Sequence, residues 1–248
     1  MIRLITDRFD PPAFDTAVSS AILQRVASGD DPPTLRLWTP QRSVAFGRQD
    51  RVRPGYSAAV AAVAALGFAP VERLAGGRAA VFHEGTIAFS WAMPETRARE
   101  TISDRFRTIA GLVANALGSL GCDARIGEVP GEYCPGEWSV NLGGSHKVMG
   151  VGQRLVRGAA HVGGVIVVND PESVNRPLVP AYRFLGYEWR PEATGSVDRA
   201  IPGIDVKRVM TSLVDAFAAG GFETQPGPLD DACVSLATRL APDHDPSR

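Results

Sequence analysis

The chain lacks a surplus of either charge: 26 Lys and Arg stand against 27 Asp and Glu, a net charge of −1. Tracking a phosphate backbone takes a basic excess, so nucleic acid is not an expected partner. Long apolar runs are missing as well. No stretch reaches the roughly 18 residues of a membrane span, and Met1-Ile2-Arg3-Leu4-Ile5-Thr6-Asp7 lacks the apolar core of a signal peptide. A cytoplasmic location with no membrane partner is therefore expected. Cysteine is scarce: Cys122, Cys134 and Cys233 form an odd set with no CxxC and no zinc-like pairing with the four histidines. That indicates neither a disulfide framework nor a structural metal, and at least one thiol should be free. Neither GxGxxG nor GxxxxGK[ST] is present, which argues against a dinucleotide fold and a P-loop.

What is there describes a globular chain of 248 residues, 44% hydrophobic and 21% charged. That length suits one large domain, here residues 1–240, with 241–248 as a C-terminal tail. Periodicity predicts helices at Phe14 to Val26, with Asp15 or Thr16 as cap, and at Ser57 to Leu66, ending at Gly67. Others are expected at Thr101 to Leu120, from Val206 to Phe217, and at Leu229 to Leu240. Strand patterns occur at Thr34 to Trp38, Ala69 to Leu74, Ala79 to His83 and Thr86 to Trp91. The last two read as a hairpin across Glu84-Gly85. An antiparallel meander is expected over Ala124-Arg125-Ile126, Glu137 to Leu142, Lys147 to Arg154 and Ala160 to Val168, followed by a Pro-broken stretch. Helices and strands mixed without a βαβ rhythm predict an α+β fold: a mixed, largely antiparallel sheet with helices packed on it.

Three segments carry chemistry. In Arg73-Leu74-Ala75-Gly76-Gly77-Arg78, followed by His83, paired glycines admit close approach of a ligand, and amides with two arginines can hold an anion or carbonyl. A glycine turn with surface arginines is the plainer alternative, and His83 fits a structural histidine as well as a base. In Tyr133-Cys134-Pro135-Gly136 the Pro-Gly pair fixes a tight turn that holds the thiol at a loop apex, a nucleophile's position. Cys122 and Cys233 fit small buried hydrophobes. In His146-Lys147-Val148-Met149-Gly150-Val151-Gly152-Gln153-Arg154, strand alternation puts Lys147 and Met149 on one face, and Gly150 and Gly152 keep it clear. Lys147 would supply the cation that activates Cys134.

Taken in order, Arg-x-x-Gly-Gly-Arg, Tyr-Cys-Pro-Gly and Lys-x-x-Gly-x-x-Gln-Arg resemble the biotin/lipoate protein ligase and octanoyltransferase superfamily. The resemblance runs from about Asp10 to Val168 and includes Leu35-Arg36-Leu37-Trp38 and Ala45-Phe46-Gly47-Arg48-Gln49. It implies a single catalytic domain with a smaller second sheet. It also implies an acyl pocket lined by Arg73, Gly76, Gly77, Arg78, His83, Gly150 and Gln153, with Lys147 on the acyl carbonyl. The Cys-Pro-Gly segment is most similar to the cysteine-dependent octanoyl/lipoyl transferase branch. There Cys134 would carry the acyl group as a thioester, with no cofactor and no metal. The implied donor is acyl carrier protein or the glycine-cleavage H protein, and the acceptor is a lysine of a lipoyl-domain protein; a monomer is the default. Gly152 where Ala or Ser is common, and Ser139-Val140-Asn141 in place of Asp-Leu-Ser, depart from that branch. An ATP- and Mg-dependent lipoate-protein ligase and a non-catalytic acyl binder are the alternatives.

Overall fold

The computed structural model describes residues 1–97 and 99–246. In chain order its elements are β1 (Ile2–Ile5), α1 (Pro12–Ser28), β2 (Thr34–Trp38), β3 (Ser43–Phe46), α2 (Arg48–Arg51), α3 (Tyr56–Ala65), β4 (Ala69–Glu72), β5 (Ala80–Phe82) and β6 (Thr86–Pro94). There follow α4 (Ile102–Ser119), β7 (Ala124–Ile126), β8 (Val140–Leu142), β9 (His146–Val156), β10 (Ala159–Val167), α5 (Glu172–Leu185), α6 (Val206–Ala219), β11 (Thr224–Pro226) and α7 (Asp231–Leu240). Eight strands form one sheet in the order β11-β1-β2-β6-β10-β9-β8-β7, and β4-β3-β5 form a second. The large sheet is parallel only where β1 meets β2 and β11, and the meander β7 to β10 is antiparallel. The α+β expectation with its smaller sheet therefore holds.

Apolar stripes decide which helix covers what. Ile109, Val113 and Leu117 of α4 join Val209, Leu213 and Phe217 of α6 against Leu35, Phe89 and Val162 of the large sheet. Small residues let α1 lie close on the sheet: Ala17, Val18 and Ala21 pack with Ala92 and Ala159. The small sheet has its own core, in which Val44 and Phe46 meet Val63 of α3 and Leu178 and Tyr182 of α5. No helix among the described residues is long and apolar enough to cross a membrane.

Five expectations need correction. The helix at α1 starts at Pro12, so Asp15 and Thr16 lie inside it. Asp15 is no cap but the partner of the fully buried Arg36, at 2.5 Å. The β5 and β6 strands are not a hairpin: β5 pairs with β3 and β6 with β2 and β10, so the His83 to Thr86 turn carries the chain from one sheet to the other. The stretch taken as Pro-broken contains α5, with Pro177 and Pro180 inside it. Each proline removes a helical hydrogen bond, but burial of Val174, Leu178, Ala181, Tyr182 and Leu185 outweighs that loss. Residues 241–244 are no tail: they form a turn in which buried His244 bonds to the Glu72 carbonyl oxygen at 2.7 Å. The rest of the expected tail includes residues 247 and 248, which lie outside the described residues.

The fifth correction concerns β9. Val140 pairs with Met149 but the next residue, Asn141, pairs with Lys147, so β9 carries an extra residue there, a β-bulge. Val148 and Met149 both enter the core, and Lys147 is turned to the face of Gly150 instead of sharing the face of Met149.

Close packing of β10 on its neighbours gives a first test. A Cβ on Gly164 would lie 2.0 Å from the Gly150 carbonyl oxygen and 2.7 Å from the Phe89 ring. Gly164→Ala is expected to cost about 1–3 kcal/mol of stability, the usual penalty of overpacking. Urea unfolding should show a lower midpoint at unchanged slope; an unshifted midpoint would mean that the strands part freely at this point.

Candidate active site

The turn bearing Cys134 is built around a buried carboxylate. Glu132 accepts from the Val129 amide at 2.8 Å, the Gly136 amide at 3.1 Å and the Ser139 hydroxyl at 2.6 Å. Its fourth partner is the Lys147 ammonium at 2.8 Å, and neither side chain of this pair is exposed. Lys147 also donates to the carbonyl oxygens of Tyr133, at 2.9 Å, and Cys134, at 2.8 Å. All three of its protons are thereby engaged in holding the turn from below. Gly150 makes this possible, because a Cβ there would lie 3.2 Å from the lysine Cε.

Cys134 has φ +42°, a backbone conformation that a non-glycine residue adopts only when its surroundings hold it there. From above, its amide donates to the Tyr182 hydroxyl at 2.9 Å, and that hydroxyl donates to the Ala79 carbonyl oxygen at 2.9 Å. The helix with the two prolines thus fixes the cysteine. Its sulfur faces the glycine loop, where the Arg78 amide donates to Sγ at 3.1 Å and Arg73 Nη1 lies 3.9 Å away. The same Arg73 nitrogen donates to the Arg78 carbonyl oxygen at 2.8 Å, which locks the loop's two ends together.

Glycines in this loop answer to specific contacts. Gly77, with φ +118°, has no room for a Cβ, which would stand 3.0 Å from Cys134 Sγ and 2.9 Å from Arg73 Nη1. Gly152 admits the loop from the other side: a Cβ there would lie 2.6 Å from the Gly76 carbonyl oxygen. Asp50 closes the third side. Its carboxylate accepts from the Gly47 amide at 2.6 Å and the Tyr187 hydroxyl at 2.9 Å, and burial raises its pKa.

Arg73 also lines a cavity of about 90 Å³ between α1, the small sheet and β10. Phe9, Trp38, Val71, Leu74, Phe82 and Phe89 supply apolar wall, and Gly163 and Gly164 line it on β10. Polar groups interrupt it: Asp15, held by Arg36 and the Trp38 indole, and His161, whose Nε2 meets Ser90 Oγ at 2.9 Å. Burial first, then the Arg73 and Arg36 charges, push the His161 pKa down to about 3. The imidazole is neutral, and its Nδ1 has no partner among the described residues.

The structure brings Cys134, Arg73, Gly76, Gly77 and the Arg78 backbone together, with Lys147 and Gly150 beneath. Two expected residues stand apart. His83 is absent from the cavity wall: its Nδ1 accepts from the Gly85 amide at 3.0 Å, and burial lowers its pKa beside Asp170 and Glu84. The Gln153 side chain turns to α4, bonding the Ile102 carbonyl oxygen at 2.7 Å and Arg105 at 2.8 Å. Only its backbone oxygen reaches the loop, accepting from the Gly76 amide at 3.2 Å. The Arg78 side chain leaves the loop and stacks over the Tyr187 ring, 4.5 Å from its centre. Sequence reasoning gave no role to Glu132, Tyr182, Asp50 or His161. The two remaining thiols are buried; burial raises the pKa of Cys122 and pushes that of Cys233 up to about 11.

Residues 11–218 match the family model of the lipoyl protein ligase A/B catalytic domain. An octanoyl-[GcvH]:protein N-octanoyltransferase of Geobacillus kaustophilus is 30% identical over 188 residues, 74% of this chain and 66% of that protein. One from Anoxybacillus flavithermus is 33% identical over 162 residues, 64% of this chain and 58% of its own length. The chain thus spans less than two thirds of these curated relatives, 66% of the first and 58% of the second. Among solved structures, lipoate-protein ligase A bound with ATP superposes with a TM-score of 0.78 at 21% identity, covering 97% of this chain and 94% of that one. A bipartite lipoate protein ligase of Thermoplasma acidophilum gives 0.76 at 22% identity, covering 97% and 91%. Those two likenesses establish the fold.

The buried neutral His161 predicts a pH response. Between its folded pKa of about 3 and the ordinary 6.5, the unfolded chain binds a proton that the folded chain does not, so stability is full above 6.5 and falls as the solution is acidified. His161→Asn should reduce that slope between pH 6 and 4 by about 1.4 kcal/mol per pH unit. Urea midpoints across this range measure it; parallel curves for the two proteins would show that His161 is protonated in the fold.

Proposed function

Because the chain belongs to the lipoyl protein ligase A/B catalytic-domain family, we propose that it is an acyltransferase of the cytoplasm. It moves an octanoyl or lipoyl group from a carrier protein to a lysine of a lipoyl-domain protein, through a thioester on Cys134. One observation carries the reading: Cys134 Sγ lies at an ordered turn with the Arg78 amide at 3.1 Å and the Arg73 guanidinium at 3.9 Å, and Arg73 also lines the apolar cavity. The names of the relatives, octanoyl-[GcvH]:protein N-octanoyltransferases, support an acyl group of this size and an H-protein carrier.

In the first step the Cys134 thiolate attacks the donor's acyl carbonyl, with the chain in the cavity. A carbon–sulfur bond forms on the enzyme, and the donor's thiolate or lysine amine leaves and takes a proton from solvent. The oxyanion that develops between the two faces the Arg78 amide and the Arg73 guanidinium. In the second step a neutral lysine amine of the acceptor attacks the enzyme thioester. An amide forms, the Cys134 thiolate is released, and the amine's surplus proton passes to water. Transfer from thioester to amide runs downhill and requires neither ATP nor Mg; an amide-linked donor exchanges near equilibrium. In this scheme Lys147 positions the nucleophile's turn, in contrast to the contact with the acyl carbonyl that the resemblance implies.

Intact-protein mass spectrometry tests the proposal. Without ATP, octanoyl-acyl carrier protein or octanoylated H protein should add an octanoyl mass that hydroxylamine removes. Cys134→Ser should form the adduct at least about a thousandfold more slowly. No adduct from either donor would contradict the scheme, and labelling of a lipoyl domain only when ATP and lipoate are supplied would assign ligation instead.

A further inference from the structure

Among the described residues five large apolar side chains are exposed, and three of them belong to two segments that touch: Val179 and Phe184 on α5, and Val52 on the loop between α2 and α3. The contact is close, since a Cβ on Gly55 of that loop would lie 1.9 Å from the Phe184 carbonyl oxygen. Arg53, next to Val52, holds its guanidinium 4.8 Å from the centre of the Tyr187 ring, just beyond α5. A single exposed apolar residue means little, but three on adjoining segments mark a surface for a partner.

A groove of about 680 Å³ joins this face to the cysteine turn. Val179, Arg183, Tyr187, Trp189 and Arg190 line it, together with Gly131, which lies just ahead of Cys134 in sequence. Its walls are tied to the active site. Trp189 packs edge-on against Tyr133, with 6.2 Å between ring centres, and against Tyr182, with 5.4 Å. The Arg190 amide donates to the Gly131 carbonyl oxygen at 2.7 Å. Tyr187 also lies under the guanidinium of Arg78, whose amide donates to Cys134 Sγ. A molecule seated in the groove therefore lies beside the turn that carries the thiol.

Charge names the occupant. Around the groove the guanidiniums of Arg53, Arg78, Arg183 and Arg190 meet one carboxylate, Glu188. Arg176, Val179 and Arg183 follow the spacing of one helix face, and all three are exposed. Glu172 and Glu192 flank the segment in sequence, yet no carboxylate among the described residues forms an ion pair with Arg53, Arg176, Arg183 or Arg190. The chain as a whole carries −1, so the basic excess is local to this face. Unpaired arginines around an apolar patch fit an acidic protein surface, which they steer and orient.

We propose that this groove and the outer face of α5 dock the acylated carrier protein, through acidic side chains that surround its acyl-bearing lysine. The inference rests on the acyl-transfer reading and adds to it the surface by which the donor is recognised.

The probes are an octanoylated H protein of net negative charge and octanoyl-N-acetylcysteamine, a thioester too small to span the groove. Each is offered to the full chain without ATP, and Cys134 acylation is followed by mass. In Arg176→Glu/Arg183→Glu the rate with H protein at low concentration should fall about ten- to a hundredfold, while the rate with the small thioester stays within about twofold of wild type. Arg176→Lys/Arg183→Lys should keep most of the H-protein rate, and raising salt from about 50 to about 300 mM should slow the H protein alone. Equal losses with both donors, or no loss with either, would overturn the docking surface while leaving the cysteine mechanism intact. So would a wild type that the small thioester acylates and the H protein does not. A wild-type dimer that the glutamate variant dissociates, at an unchanged H-protein rate, would assign the face to a second copy of the chain and overturn the carrier. Acylation by neither donor would remove the acyl-transfer reading and the inference with it.

Discussion

An ammonium taken out of water needs three acceptors, and Lys147 finds them in one oxygen of Glu132 and the carbonyls of Tyr133 and Cys134. Glu132 in turn gathers two amides and a hydroxyl from residues 129 to 139. Removing one member of such a buried pair strands the other charge, at a cost of about 3–5 kcal/mol. The pair is therefore less a source of net stability than a means of fixing one loop geometry. What it fixes is the turn on which Cys134 is held at φ +42°.

Around that turn the structure depends on close approach. Gly150 makes room for the lysine, Gly152 for the Gly76 carbonyl, Gly77 for the sulfur, and Gly47 for the Gly77 carbonyl. Four glycines on three separate segments thus let two strands, a loop and a cysteine turn converge where side chains would keep them apart. Gly152, a departure from the pattern of the cysteine-dependent branch, has a steric role here: the glycine loop rests directly on β9. Ser139, another departure, serves Glu132 through its hydroxyl. Both changes fall in the support of the turn and leave the sulfur's own contacts with Arg73 and Arg78 in place.

The sheet meander and most helices were legible because their periodicity is local: α4, α6 and α7 lie within a few residues of where the apolar repeat puts them. The same local logic failed where a tertiary contact decides. Two prolines hid α5, whose stability comes from the stripe it buries against the small sheet. One extra residue in β9 reversed the face of Lys147, and strand alternation cannot reveal a bulge. In the site, Cys134, Lys147 and the paired glycines announced themselves by motif. Glu132 was in plain view just ahead of Cys134-Pro135-Gly136, yet an acidic residue in a Gly/Pro loop reads as solvated. Tyr182 and Asp50 reach the site from 48 and 84 residues away in sequence, and no spacing rule connects them to it. His83 and Gln153 sit next to these motifs in sequence, but their side chains bond elsewhere, the His83 ring to the Gly85 amide and the Gln153 amide to α4.

The central claim is that Lys147 acts on the cysteine turn and not on the acyl group, and amide hydrogen exchange in Lys147→Met, measured beside the rate of Cys134 acylation, tests it most directly. The account predicts faster exchange at the Val129 and Gly136 amides, which depend on Glu132, together with slower acylation. Unchanged protection at both amides with acylation abolished would contradict it, and would return Lys147 to the acyl carbonyl.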